Sequence, residues 1–133
     1  MAEPPFEQLD FLYVPSDDVA GDRDHLVGVL GGRPRFAVES MGTRVAAVEL
    51  SAGPPLVLLT DHLEGHRPIL VYRVPDLEAA LATLASRGWK REGTFEIPHG
   101  PCCSITTPGG HRVALYQLVR PEAARHFDGR VDF

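Results

Sequence analysis

The stretch Thr107–Gln117, TPGGHRVALYQ, decides how the second half of the chain ends. Its first four residues, TPGG, suit a tight hairpin turn, because proline presets one backbone dihedral and glycine adopts positive φ without steric cost. The residues from Arg112 to Val119 include Val113 and Tyr116, which favour extended backbone. The stretch therefore predicts a turn followed by the last strand of a sheet.

Similar local signals divide the rest of the chain into helices and strands. One helix is predicted after Pro15-Ser-Asp-Asp18, with Gly31-Gly32 as its end, and a second after Pro75-Asp76, with Gly88 as its end. Apolar residues at helical spacing support both helices. The predicted strands cover residues 9–14, 35–39, 43–50, 56–60, 68–74, 89–97, 102–107 and 112–119.

The order strand, helix, strand, strand, strand occurs twice, which indicates an internal duplication. Val14-Pro15 at the start of one helix is matched by Val74-Pro75 at the start of the other. We predict one α+β domain over residues 1–133, built from two tandem βαβββ modules that form a curved mixed sheet with a cleft. Module one covers about 9–62 and module two about 67–119, and residues 120–133 form a C-terminal tail.

Composition excludes several classes of function. The 133 residues suit one domain, and 44% hydrophobic residues argue against disorder. A net charge of −5 disfavours nucleic acid as a partner, because phosphate binding needs a basic surface. The sequence has no apolar run of membrane-spanning length and no signal-peptide pattern at its start. We therefore expect a cytoplasmic protein with no membrane and no nucleic-acid partner.

Neither the cysteines nor the histidines suggest a metal site. Cys102 and Cys103 are adjacent, so a disulfide between them would be strained, and we expect free structural thiols. His62 and His66 have the spacing of one helix face, but Gly65 between them argues against a helix. The six histidines are expected in a helix, connectors, a turn and the tail, and solvated. No nucleophile–base pair is apparent, so no catalytic residue is predicted.

Three stretches resemble the vicinal oxygen chelate superfamily, which contains glyoxalases, bleomycin-resistance proteins and dioxygenases. They are LDFLYVPSDD (9–18), VPDLEAA (74–80) and the closing TPGGHRVALYQ (107–117), and the last is the most specific. The resemblance covers roughly residues 9–117. It implies the two-module fold, and for metal-using members it implies a divalent metal that chelates two neighbouring substrate oxygens.

The resemblance also implies where the ligands of such a metal would stand. Histidines are implied near the starts of the first and fifth strands, and carboxylates on the fourth and eighth. This chain has Leu9 or Phe11 in the first strand, Ile69 in the fifth, LVLLT (56–60) as the fourth and Ala114 in the eighth. Because these side chains donate no lone pair, we predict that the protein binds no metal and no other cofactor.

The same positions indicate the lining of the cleft, since alternate residues of a strand face one side. Counting by two from Leu9 puts Phe11 and Tyr13 on the cleft face, and Phe36 and Trp89 are expected to close its sides. The residues predicted to contact a ligand are Phe11, Tyr13, Phe36, Ile69, Arg73, Trp89, Arg112, Ala114 and Tyr116.

This lining predicts a pocket for a bulky, partly aromatic small molecule. The first hypothesis is a metal-independent binding protein, similar to superfamily members that confer antibiotic resistance by sequestering a drug. The alternative is a metal-dependent enzyme of the glyoxalase, dioxygenase or isomerase type, with ligands among Glu49, His62, Glu96 and His99. A third possibility is a regulatory or structural module whose own side chains fill the cleft. Members of this size often pair, so a homodimer is expected.

Overall fold

The computed structural model describes residues 3–133, which form a single eight-stranded mixed sheet with three helices. The elements of the first module are β1 (Gln8–Pro15), α1 (Val19–Gly28), β2 (Arg33–Ser40), β3 (Thr43–Glu49) and β4 (Leu56–Thr60). Those of the second are β5 (Ile69–Val74), α2 (Leu77–Ala85), β6 (Gly93–Ile97), β7 (Gly100–Thr106) and β8 (Arg112–Gln117). A last helix, α3 (Ala123–Phe127), follows them.

The strands are arranged in the order β2-β3-β4-β1-β5-β8-β7-β6. Within each module the first strand pairs in parallel with the last, β1 with β4 and β5 with β8. The two modules meet where β1 and β5 pair antiparallel in the middle of the sheet. The prediction of an α+β fold with two tandem βαβββ modules on one curved sheet is confirmed.

Both helices of the modules begin at the aspartates that the sequence indicated. The side chain of Asp18 accepts a hydrogen bond from the Gly21 amide at 2.9 Å, and that of Asp76 accepts one from the Ala79 amide at 3.1 Å. Each bond satisfies an amide that has no partner within the first turn of its helix. Beyond the second helix Gly88 has a φ of 90°, which ends α2.

The two helices cover the same face of the sheet and leave the other face to form the cleft. Leu77 and Leu81 of α2 pack against Cys103 and Leu115, while Val19 of α1 belongs to a second cluster on module one. The cleft face carries its own apolar cluster, whose buried members are Ile69, Val71, Cys102, Ala114 and Tyr116. Cys102 and Cys103 therefore point to opposite faces, and both are free and buried.

The sequence predicts that Trp89 lies in a strand and closes one side of the cleft. Both predictions are wrong. The backbone amide of Trp89 donates to the Leu84 carbonyl at 3.0 Å, so the chain still belongs to the end of α2 at this residue. Its ring packs against the α2 cluster on the opposite face of the sheet. Strand β6 starts only at Gly93, after the turn at residues 86–88 that ends α2.

The last sixteen residues, 118–133, form a segment that we call the C-terminal strap. It starts beside module two, where the amides of Val119 and Arg120 donate to the His99 carbonyl at 3.0 and 2.9 Å. It ends beside module one, where the Ala37 amide donates to the Arg130 carbonyl at 2.7 Å and Val131 forms a bridge with Ala37. The strap therefore joins both modules and covers the free edge of β2.

None of the helices within residues 3–133 is long and apolar enough to span a membrane.

Gly100 provides a test of the packing between β7 and β8. A Cβ atom at this position would lie 2.0 Å from the Gln117 carbonyl oxygen, so the backbone would have to move. We expect Gly100→Ala to lower the free energy of unfolding by about 2 kcal/mol or more, measured by urea denaturation. The control is Gly93→Ala, since a Cβ atom there meets nothing within 4 Å. Equal midpoints for the two variants would contradict this packing.

Candidate ligand-binding site

A row of four apolar residues crosses the centre of the cleft floor. Ala114 of β8 stands opposite Val71 of β5, Val71 opposite Phe11 of β1, and Phe11 opposite Leu56 of β4. Residues that stand opposite one another in neighbouring strands point to the same face. The four strands on which the resemblance implies metal ligands thus present one methyl group, two aliphatic side chains and one phenyl ring.

This row does not fit the metal that the superfamily resemblance implied. A chelated divalent cation needs several nitrogen or oxygen atoms that converge on one point. In the row that contains Ala114 every side-chain atom is carbon or hydrogen. Elsewhere in the described part of the chain, residues 3–133, no three His, Cys, Asp or Glu side chains lie close enough together to hold an ion. In β5 the residue level with Ala114 is Val71, two residues after Ile69.

Asp10 reaches the cleft because of an irregularity in β1. The β1–β5 ladder pairs Leu9 with Tyr72 and Phe11 with Val71, so Asp10 is an additional residue between them. Tyr72 stacks on Phe6 on the face that α2 covers, and Leu9 consequently points away from the cleft. The prediction that Leu9 shares the cleft face with Phe11 is therefore wrong. A strict two-residue alternation does not reveal a bulge of this kind.

The carboxylate of Asp10 is the centre of a buried polar cluster on the cleft floor. Asp10 is 8% exposed and accepts hydrogen bonds from the Gln8 amide group and the Tyr116 hydroxyl. Arg73 Nε lies 3.5 Å from Asp10 Oδ2 and 3.5 Å from Glu7 Oε2. Burial, and then the hydrogen bond to Asp10, raise the pKa of Tyr116 well above its usual value. The phenol thus stays protonated and donates to Asp10.

His99 forms part of the cleft wall. Its ring centroid lies 5.4 Å from that of Phe11 and 6.1 Å from that of Tyr116. Burial lowers the pKa of His99, an effect that the Asp10 carboxylate opposes and Arg120 reinforces. The imidazole is therefore neutral at pH 7 and continues the aromatic surface. His99 lies in the predicted turn, but its ring is half-buried against Phe11 and Tyr116 rather than solvated as expected.

A second pair of polar side chains lies in the next row of the cleft. The Tyr13 hydroxyl is hydrogen-bonded to His62 Nε2, and burial raises the pKa of Tyr13. Tyr13 stands opposite Ile69, and Ile69 stands opposite Arg112 at the start of β8. Phe36 ends the same row in β2, where its ring lies 5.4 Å from Phe127 of the strap.

A pocket of about 260 Å³ opens on the module-one side of the cleft floor. Its lining consists of Asp10, Phe11, Arg35, Glu49, Gly53, Pro54 and Leu56. Arg35 is the extra residue of a second bulge, between Pro34 and Phe36 in the β2–β3 ladder. Its guanidinium lies 3.0 Å from Glu49 Oε2 and 3.4 Å from Asp128 Oδ1 of the strap. An ion-pair network therefore connects this pocket to the strap.

The structure brings together most of the residues that we predicted to contact a ligand. Five belong to the cleft-face cluster or pack against it: Phe11, Tyr13, Ile69, Ala114 and Tyr116. A sixth, Arg73, lies next to Asp10 on the same face. Phe36 and Arg112 lie at the ends of the neighbouring row, and Trp89 lies outside the cleft. Of the nine, Phe11 lines the pocket. The contacts of these residues with a ligand stay predictions.

No local pattern indicates that Arg35, Glu49 and Asp10 are neighbours in one pocket. Glu49 had been considered only as a candidate metal ligand of an enzyme. The positions of Asp10 and Arg35 depend on two bulges, and those of Pro54 and Leu56 on the path of the β3–β4 loop. A charged residue inside an otherwise apolar strand, such as Asp10 in LDFLYV, is the signal that could have drawn attention to the site.

Comparisons with known proteins identify the fold. No protein-family model matches the chain, and no curated protein matches it in sequence. A methylmalonyl-CoA epimerase from Mycobacterium tuberculosis has a similar structure, with a TM-score of 0.74 at 20% identity over 93% of this chain and 96% of that one. Another methylmalonyl-CoA epimerase structure gives 0.71 at 17% identity, with coverages of 90% and 100%.

A third similar structure is a methylmalonyl-CoA epimerase variant from Streptomyces coelicolor in complex with 2-nitronate-propionyl-CoA. Its TM-score is 0.67 at 12% identity, and the match covers 86% of this chain and 99% of that one. At these identities the likeness concerns the fold alone. The resemblance predicted from the three sequence stretches is confirmed at that level, and the chain has the fold of the vicinal oxygen chelate superfamily.

Proposed function

We propose that the chain is a small-molecule binding protein that works without a metal and holds its ligand in the pocket beside Phe11. The observation that carries this proposal is the apolar row of Phe11, Leu56, Val71 and Ala114 across the four central strands. Such a floor holds a ligand through contact and through burial of apolar surface, which contributes about 25 cal/mol per Å².

The aromatic side chains around the pocket favour a ligand with a flat ring system. Phe11 lines the pocket, and the ring centroids of His99 and Tyr116 lie 5.4 and 5.9 Å from the ring centroid of Phe11. The volume of about 260 Å³ is below the range of about 300–1,000 Å³ that is usual for drug-sized ligands. The pocket therefore suits one planar group, with the remainder of the ligand along the cleft.

A second candidate function is an enzyme, and the Asp10 cluster favours it. Burial raises the pKa of Tyr116 and lowers that of His99, so one is protonated and the other neutral beside the carboxylate of Asp10. Ionisable groups with shifted pKa values in a cleft are typical of functional sites. Yet Asp10 already accepts hydrogen bonds from Gln8 and Tyr116 and lies 3.5 Å from Arg73. These contacts occupy the carboxylate of Asp10 within the protein, so binding remains the first proposal.

The proposal predicts binding that requires Phe11 and no metal. Chelator-treated protein is titrated with planar aromatic compounds in a calorimeter, because Trp89 lies on the opposite face and its fluorescence is a poor reporter. Phe11→Ala should weaken binding about tenfold, since an aromatic contact and its buried area contribute about 1.5 kcal/mol. The control Phe95→Ala removes a half-exposed ring of β6 and should leave Kd unchanged. Binding that appears only after a divalent metal is added would overturn the proposal.

A further inference from the structure

We propose, on the basis of the proposed binding function, that the ligand is a cation, such as a protonated or quaternary amine on a planar ring system. Its charge would lie between Asp10 and Glu49, at the polar end of the pocket beside Phe11.

Two separate bulges supply charged side chains to the same pocket. Asp10 is the extra residue of the β1–β5 ladder and Arg35 that of the β2–β3 ladder, and both line the pocket. A bulge turns one side chain away from the regular alternation, and bulges are frequent next to binding and catalytic sites. The polar end of the pocket thus results from local changes in two strands of the sheet.

The charges around the pocket do not compensate one another. The guanidinium of Arg35 lies 3.0 Å from Glu49 and 3.4 Å from Asp128. The other guanidinium, that of Arg73, lies 3.5 Å from both Asp10 and Glu7. Four carboxylates thus contact two guanidinium groups, and the charged side chains that line the pocket, Asp10, Glu49 and Arg35, leave it a net charge of −1. The side chains of Asp10 and Glu49 are only 10% and 18% exposed, so solvent screens their charges incompletely.

The surface next to these carboxylates suits a cation on an apolar body. The face of an aromatic ring such as Phe11 attracts cations through its quadrupole, and Pro54 and Leu56 offer aliphatic contact. An anionic ligand would have to displace Glu49 or Asp128 from Arg35 and would then lie beside Asp10. The charges of the pocket therefore select for a cation and against an anion.

Three acridines of nearly equal shape test the inference: 10-methylacridinium as the cation, acridine as the neutral form at mildly alkaline pH, and acridine-9-carboxylate as the anion. We expect the cation to bind at least about tenfold more tightly than neutral acridine, and the anion most weakly. Added salt should reduce the preference for the cation, because mobile ions screen the carboxylates. The salt titration uses the unmodified protein, so it does not depend on the folding of any variant.

The variant Glu49→Gln should weaken binding of the cation about tenfold and leave the Kd of neutral acridine within about twofold. The matched control is Glu78→Gln, which removes the same charge from α2 on the opposite face of the sheet. Equal affinity for the cation and the neutral compound would overturn this inference and leave the binding proposal intact. Failure of all three compounds to bind the unmodified protein would overturn both.

Discussion

Replacement of Asp10 by alanine is expected to lower the free energy of unfolding by about 3 kcal/mol, although the protein loses only a small side chain. Asp10 is 8% exposed and accepts a hydrogen bond from the Tyr116 hydroxyl, which is itself buried. Without the carboxylate this hydroxyl has lost its acceptor, and Arg73 has lost one of its two acidic neighbours. Both groups stay largely away from water, so the loss of their partner is costly.

A double-mutant cycle measured by urea denaturation separates this interaction from other effects. Tyr116→Phe removes the donor and should cost about 1.5 kcal/mol, and the double variant should cost less than the sum of the two single changes by about 1 kcal/mol or more. Asp24→Ala is the control, because Asp24 forms an exposed ion pair with Arg23 on α1. If Asp10→Ala and Asp24→Ala had the same effect, the buried cluster would not have the role described above.

The second large effect is expected at alkaline pH and concerns Cys102. Burial is the main cause that raises the pKa of the Cys102 thiol from 9.0 to about 12. The unfolded chain therefore loses this proton above pH 9.0, whereas the folded protein keeps it. The stabilisation is complete below pH 9.0 and is lost as the pH rises towards 12, at up to about 1.4 kcal/mol per pH unit. Tyr116 acts in the same direction above pH 10.0, because its folded pKa is also raised.

Urea denaturation at a series of pH values between neutrality and pH 10 measures the Cys102 effect before the tyrosine adds to it. Cys102→Val keeps a buried apolar side chain of similar size and removes the titrating thiol. The variant should show a much smaller decrease of unfolding free energy above pH 9.0 than the unmodified protein. Equal slopes for the two proteins would mean that the thiol does not control the alkaline behaviour.

Local signals explain why the order of the elements could be predicted from the sequence. Asp18 and Asp76 cap the two helices by bonds to residues three positions away, and Gly88 ends α2 through its own φ. The hairpin turn before β8 is likewise determined by residues next to one another. Counting every second residue of β8 from this turn correctly predicts that Ala114 and Tyr116 face the cleft.

The features that the sequence did not reveal depend on contacts between distant residues. The bulge at Asp10 is visible only when β1 is paired with β5, and it reverses the direction of Leu9. His99 is half-buried because its ring lies against Phe11 of β1 and Tyr116 of β8. Trp89 packs on α2 because the chain reverses after that helix. The positions of Asp10 and Arg35 thus required the structure, whereas the apolar floor could be predicted from the sequence.

The course of the strap has a consequence for how the protein is made. Backbone groups of residues 129–132 form hydrogen bonds with Arg35 and Ala37 of β2. The ring of Phe133 packs on the apolar cluster of module one that contains Val19 of α1. A ribosome releases the first module long before it releases these residues. During synthesis β2 therefore has an unpaired edge until residues 129–132 have been made and can bond to it.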